Sequence, residues 1–335
     1  MKTRTKIVIG TFIFILILVV LVSFYVWINL YSPVMGVETA TTFEIKEGQK
    51  VVDIVDSLED AGLIRNKLVT LSYLKITGKG SKLKAGFYSR ASLPKAFKPI
   101  DVIDLIVSGE TAMRSITILE GWKSKDIAAY LDDRNIVSKQ NFLVSLEKQY
   151  SYDFLDGIDN LEGYLYPDTY YIPYNATSED IIKVMLDNFD KKLDKELKEE
   201  IKTQEKTISE IVTMASIVEK EVFKKEDRQM VAGIFWARIS EEMPLQSDAT
   251  INYITGLDKS SPSYEETRRG SPYNTYLNKG LPPGPICNPS IESIKAAIYP
   301  KMTNYKFYLN RQDTGETIFS RTYEEHLENK YKYLK

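Results

Sequence analysis

The sequence predicts a mixed α+β protein hung from one N-terminal membrane helix, and three observations carry that prediction. Ile7 to Leu30 contains no charged residue; a strand, glycine turn and helix pattern appears twice after it; and from Ser151 charged amphipathic segments alternate with loops dense in Gly, Pro and aromatic residues. The expected organisation is a cytoplasmic tail at 1–6, a transmembrane helix at 7–30, a tether at 31–42, a region at 43–150 holding both strand-turn-helix units, and an α+β domain at 151–335.

The first observation is the strongest. As a helix rising ~1.5 Å per residue, the uncharged run spans ~36 Å, enough to cross the hydrocarbon core of a bilayer. A cleavable signal peptide has a shorter apolar centre and a small-x-small exit, whereas this run leaves through Asn29-Leu-Tyr-Ser-Pro-Val-Met. Lys2, Arg4 and Lys6 precede it, so the positive-inside rule puts everything after about Tyr31 outside the cytoplasm, with Tyr25, Trp27 and Tyr31 at the outer interface.

The second observation is a duplication. Phe43-Glu-Ile-Lys-Glu-Gly48, with Ile54, Leu58 and Leu63-Ile64 behind it, recurs as Ile116-Thr-Ile-Leu-Glu-Gly121 with Ile127, Leu131 and Ile136-Val137. Alternating apolar residues indicate a short strand, the glycine a turn, and the i, i+4 spacing a helix. Ser124 is the expected N-cap of the second helix. Between the copies, Gly78 to Pro99 reads as a hairpin and loop before a helix at Ile100 to Ser108.

In the last part, Ser178 to Glu205 reads as one or two amphipathic helices, Ile208 to Phe223 as a helix apolar nearly all round, and Glu226 to Ile239 as another. Pro244 to Pro289 is expected to be long loops. Composition narrows the chemistry further. Formal net charge is -2 with no basic run, so nucleic acid is not an expected partner. One cysteine and one histidine exclude a disulfide, the usual metal sites and a nucleophilic triad; no metal or cofactor is expected, and carboxylates must do the acid and base work.

Glu219 is the leading candidate. It falls where the buried helix runs out of apolar residues, and its helical neighbours Ala215, Ser216, Val222 and Phe223 include no cation. Such a carboxylate is either desolvated, and then able to stay protonated as a general acid, or leans out of the helix end into water. In the first case Glu219→Gln is expected to leave stability equal or higher. Glu221 points to the other side, beside Lys224 and Lys225, and is the weaker candidate acid. Gln246 and Asp248 in one loop, and Asn274, Thr275 and Tyr276 in another, suit recognition of hydroxyl and acetamido groups, or else satisfy their own backbone. Asn288 ends the stiff segment Gly280 to Pro289, which either closes the fold or walls a groove.

Taken in order, Leu161-Glu-Gly-Tyr-Leu-Tyr-Pro-Asp-Thr-Tyr170, Ala215-Ser-Ile-Val-Glu219-Lys-Glu, Leu245-Gln-Ser-Asp248, Ser271-Pro-Tyr-Asn-Thr-Tyr276 and Gly280 to Pro289 resemble the endolytic murein transglycosylase (MltG, YceG-like) family. The resemblance runs from about Phe43 to the C-terminus. It implies a membrane anchor, a LysM-like small domain at the duplicated units, and a catalytic domain whose essential acid matches Glu219. The implied substrate is the peptidoglycan glycan strand, bound through Glu162, Gln246, Asp248, Asn274, Thr275, Tyr276 and Asn288, and cut to a 1,6-anhydro end. Penicillin-binding synthases are implied partners. Two positions depart from the family pattern: Ala249 stands where proline is usual, and Thr317 where histidine is usual, although Phe319-Ser320 and Glu325-His326 are retained. Two rivals stand beside this reading. A hydrolytic muramidase needs a second carboxylate, with Asp248 or Glu162 available. A noncatalytic wall-binding anchor needs only the LysM-like units.

Overall fold

The computed structural model describes residues 2–38, 42–222, 224–257, 259, 261–311 and 313–334, with side chains from residue 7 onward. The side chains of Lys2, Arg4 and Lys6, and Phe223 beside Glu219, therefore lie outside the described residues. The chain divides into two units, Met1–Arg114 with Tyr171–Asn175, and Ser115–Tyr170 with Ala176–Lys335.

In the first unit, helix α1 (Lys2–Tyr31) holds the apolar run, and among the described residues Ile7–Tyr31 is long and apolar enough to cross a membrane. Strand β1 (Thr42–Ile45) follows, then α2 (Val51–Asp60), α3 (Lys67–Thr77), β2 (Gly86–Ser89) and α4 (Pro99–Ser108). Strands β1 and β2 pair antiparallel with Phe43 opposite Tyr88, whose buried ring places its hydroxyl 2.9 Å from Lys84 O. Ile54, Leu58, Leu74, Phe97, Ile103 and Ile106 close the core under that hairpin. Pro99 starts α4 where its missing N–H costs nothing, and Gly109 ends it in the left-handed region.

The expected tether is partly docked. Val34 is buried in this core and its N–H donates to Phe97 O at 2.7 Å, so the chain leaving α1 is held by the first unit. Sequence pattern missed this because one valine among Pro, Gly and Ser gives no periodicity.

The second unit takes up the chain inside β3 (Met113–Thr117) and continues with α5 (Ser124–Asp133) and α6 (Lys139–Leu146). Strand β4 (Thr169–Pro173) pairs with β3. Helices α7 (Ser178–Lys192), α8 (Lys195–Thr203), α9 (Ile208–Glu221), α10 (Arg228–Ser240), α11 (Asp248–Thr255) and α12 (Ile291–Ile298) come next, and hairpin β5 (Phe307–Asn310) and β6 (Thr317–Ser320) precedes α13 (Tyr323–Tyr333). Three two-stranded sheets among many helices make a mixed α+β protein.

Both strand, glycine turn and helix segments are present, with Gly48 and Gly121 at φ near +75°, a conformation that favours glycine. They do not pack as one region: β1 joins β2, β3 joins β4, and the second copy belongs to the second unit. The compact division thus falls at Arg114, ahead of the expected functional boundary at 150. The N-cap of α5 is Lys123, whose N–H donates to Asp126 at 2.9 Å; Ser124 is the first helical residue and does not cap. Within the expected loop Pro244 to Pro289, α11 forms between Ser247 and Gly256, too short for periodicity to stand out among its glycine and proline neighbours.

Helix α9 is the centre of the second unit. Thr207 and Glu210 cap it reciprocally, at 2.7 and 3.1 Å, and every residue from Ile211 to Val218 is buried. Ser216, a buried polar residue in its middle, accepts from Ile286 N at 3.0 Å and its carbonyl faces Cys287 Sγ at 3.3 Å. The stiff proline segment is therefore laid along α9.

Candidate active site

Glu219 lies in the last turn of α9 with its side chain nearly closed to solvent. Because Ile286 and Cys287 are fixed to Ser216, the same segment brings Ser290 over the carboxylate one turn later. The Ser290 N–H and hydroxyl donate to Oε2 at 2.9 and 2.5 Å. Ser290 also caps α12, accepting from Ser293 N. From α10, Arg228 donates through Nη2 to Oε1 at 2.9 Å and through Nη1 to Ser290 Oγ at 2.6 Å. The two side chains are 5% and 6% exposed, so this is a buried ion pair.

The absence of a cation among the helical neighbours of Glu219 does not leave it without one. The i±3 and i±4 positions hold none, but the next helix supplies one. A sequence signal existed: Arg228 shares a stripe with Val231, Ala232 and Phe235, and an arginine on an otherwise buried face implies a buried partner.

The glycine turn of the second repeat forms the other wall. A β-carbon at Gly121 would come within 3.7 Å of Glu219 Cγ and 3.5 Å of Lys220 Cδ, so the backbone approaches closely. Glu120, exposed beside it, has its carboxyl raised above the usual range, first by partial desolvation and then by the Glu219 charge. Sequence reasoning passed over Glu120, Gly121, Arg228 and Ser290, since none is near Glu219 in the chain.

Of the residues expected to bind substrate, Glu162 and Asn288 come together. Glu162 is buried, with Ser124 N 3.0 and 3.1 Å from its two oxygens and Asn288 Nδ2 at 3.2 Å from Oε1. Burial pushes its carboxyl up to about 7, although the Ser124 donors pull the other way. Asn288 Oδ1 accepts from Gly163 N and Leu165 N at 3.0 and 2.9 Å, and its N–H reaches Trp122 O at 2.9 Å. Gly121 N in turn donates to Asn288 O at 2.9 Å. Two short stretches, 121–124 and 288–290, therefore run between the Glu162 and Glu219 carboxylates.

The remaining five form a third cluster. Thr275 Oγ1 accepts from Ser247 N at 3.0 Å, Asn274 holds Thr267 O and Arg269 O, and both are fully buried. Like Asn288, they bond the loops through their side-chain polar atoms. Asp248 accepts from Tyr276 Oη, and burial first raises its carboxyl above the usual range. Gln246 is exposed, at φ +50°. Glu221 is not beside its lysines; it accepts from Ser247 Oγ and from Tyr308 Oη at 2.9 Å, and burial raises its carboxyl. Thr317 hydrogen bonds Asn310, whose amide reaches Glu221 O at 2.6 Å, so this hydroxyl supports the end of α9.

A family model described as the YceG-like family matches residues 43–332. This chain belongs to the YceG-like family. Among relatives, the endolytic murein transglycosylase of Bacillus subtilis (strain 168) is 33% identical over 316 residues, covering 89% of this chain and 86% of that protein. The endolytic murein transglycosylase of Streptococcus pneumoniae (serotype 2, strain D39) is 30% identical over 320 residues, covering 86% of this chain but 57% of the pneumococcal protein. A crystal structure of a yceG-like protein from Listeria monocytogenes matches with a TM-score of 0.59 at 32% identity, over 86% of this chain and 98% of that one. Glu219, Arg228 and Ser290 all fall within the matched YceG-like region.

Proposed function

We propose that this YceG-like protein is a membrane-anchored lytic transglycosylase that cuts peptidoglycan strands internally, between N-acetylmuramic acid and N-acetylglucosamine, with Glu219 as the acid. The observation that carries the proposal is the Glu219 carboxylate in the last turn of a buried helix, held by four donated hydrogen bonds from Arg228 and Ser290. In its protonated form Glu219 gives its proton to the glycosidic oxygen as the bond to C1 breaks and an oxocarbenium-like state forms, helped by the substrate's acetamido oxygen. The carboxylate left behind is the species that Arg228 and Ser290 are arranged to hold. It then takes the proton of the muramoyl C6 hydroxyl, which closes onto C1. An attached nucleophile has a high effective molarity, so no activated water is required. Of the two carboxylates expected to serve a hydrolase, Glu162 is buried against Ser124 and Asn288 and Asp248 bonds Tyr276, which leaves the exposed Glu120 as the carboxylate beside Glu219 that a water-activating enzyme would need.

The membrane helix is read as an uncleaved anchor with residues 1–6 inside and the rest of the chain outside. The duplicated segments are read as LysM-like, serving as spacer or glycan contact, and peptidoglycan synthases of the penicillin-binding class as partners of the anchored enzyme. Digestion of purified glycan strands tests the activity. New ends should be 1,6-anhydromuramic acid, one water lighter than hydrolytic ends and resistant to borohydride. Stoichiometric borohydride-reducible ends would mean that water attacks.

A further inference from the structure

A cleft of about 430 Å³ opens on the second unit, apart from the Glu219 carboxylate, and its lining includes Lys123, Lys125, Glu162, Tyr253, Ser271 and Tyr273. The Lys123 ammonium stands 6.0 Å from the centroid of the Tyr253 ring, and Tyr253 packs on Tyr273 at 5.0 Å. Neither Lys123 nor Lys125 is in an ion pair among the described residues, although carboxylates are at hand. Those carboxylates are committed elsewhere: Asp126 accepts from Lys123 N, and Glu162 from Ser124 N and Asn288 Nδ2. Beside the Asp126 and Glu162 carboxylates, which protein donors already hold, the cleft thus presents two ammonium groups and two phenol rings to whatever enters.

Its position limits what that is. Gly121 is in van der Waals range of Glu219, and Lys123 is two residues further on. Two residues extend at most ~7 Å, and a lysine side chain adds roughly as much again. A ligand reaching the Lys123 ammonium while its sugar lies at Glu219 therefore has a short distance to span, which a branch from the sugar being cut can cover. In peptidoglycan the branch is the peptide on the muramoyl lactyl group, and its chemistry, free carboxylates on a short flexible chain, matches the ammonium groups.

We infer that this cleft is a subsite for the acidic peptide stem of muramic acid, and that Lys123 pairs with a stem carboxylate. The inference rests on the transglycosylase reading for its substrate, yet it is open to a separate measurement. Soluble N-acetyl-L-alanyl-γ-D-glutamyl-L-lysyl-D-alanine, its amine blocked as it is in the lactyl amide, is titrated by calorimetry into the full-length protein in detergent, as wild type, Lys123→Ala, Lys123→Arg and Lys125→Ala. Loss of one charge-assisted contact should weaken binding about tenfold in Lys123→Ala, less in Lys125→Ala, with Lys123→Arg close to wild type. In parallel, the ratio of kcat/KM for peptide-bearing over peptide-free strands should fall by a similar factor in Lys123→Ala. Equal peptide affinity in wild type and Lys123→Ala, or no peptide binding at all, overturns the subsite. If no strand of either kind is cut while the peptide still binds through Lys123, the subsite stands and the activity reading falls.

Discussion

Replacing Glu219 by glutamine tests the site through stability as well as activity. The helical neighbours alone suggest that removing this charge is neutral or favourable. The ion pair reverses the sign, because Glu219→Gln leaves the Arg228 guanidinium buried without its counter-charge. Hydrogen bonds to a charged group contribute about 1.5–3 kcal/mol, and removing one partner of a buried pair costs about 3–5 kcal/mol. Glutamine keeps one acceptor oxygen for Ser290 or Arg228, so we expect a loss of about 3 kcal/mol. For a unit of this size that lowers Tm by about 6–12 °C, which leaves the protein folded at room temperature while glycan cutting is abolished. Urea unfolding of wild type, Glu219→Gln, Arg228→Met and the double variant measures the pair directly. The double variant should cost less than the sum of the singles by about 2 kcal/mol, since neither charge is then left alone. An unchanged or raised Tm in Glu219→Gln, or strictly additive losses, would refute the buried pair as the organising contact.

Glu162 should make stability depend on pH. Its folded value, about 7, lies above the ordinary 4.5, so its contribution is complete below about 4.5 and is lost as pH rises through 7, by ~3 kcal/mol in all. Relative to wild type, Glu162→Gln should therefore gain that amount between pH 4.5 and 8; parallel unfolding profiles would contradict the burial argument. Gly233→Ala should destabilise by about 3 kcal/mol in a thermal melt, because the new methyl would sit 2.1 Å from the Lys301 carbonyl oxygen, which is backbone and cannot step aside. A loss under 1 kcal/mol would show that α10 shifts freely. Asn310→Ala should cost about 1–2 kcal/mol by freeing both Thr317 and the Glu221 carbonyl, and Thr317→Val should cost less; the reverse order in urea titrations would mean that the hydroxyl, not the amide, holds α9.

What could be read from the sequence was whatever repeats at short range. The N-terminal apolar helix, the two strand-turn-helix segments and the buried helix α9 announce themselves through uncharged length, period two and period 3.6. Glu219 does not: local pattern leaves it either a desolvated acid or a helix-end carboxylate in water, and it is the ordered family motifs that single it out. The contacts that surround it are long-range: Arg228 arrives by a helix turn-around, Ser290 along a proline segment anchored on Ser216, and Gly121 from a separate repeat. Local pattern also left the role of polar loop residues open. Asn274, Thr275 and Asn288 look like ligand-binding groups by type, yet each is consumed by backbone partners. Type alone does not distinguish a side chain that holds a loop from one that meets a substrate. The helix at Asp248–Thr255 was invisible because two turns between a serine and a glycine carry too few residues to establish a period.

The bonding of Asn288 has a consequence in time. Its amide and backbone tie Trp122, Gly163 and Leu165, partners 123 to 166 positions earlier in the chain. Loop closure over such distances is slow compared with forming a helix, and it cannot begin until residue 288 has been made and has reached the other partners. The N-terminal apolar helix, at the opposite end, has been made long before. A chain still being synthesised past α9 therefore carries Glu219 but lacks Ser290 above it and the Asn288 clasp beside it. The surroundings of Glu219 are completed late, in one concerted step.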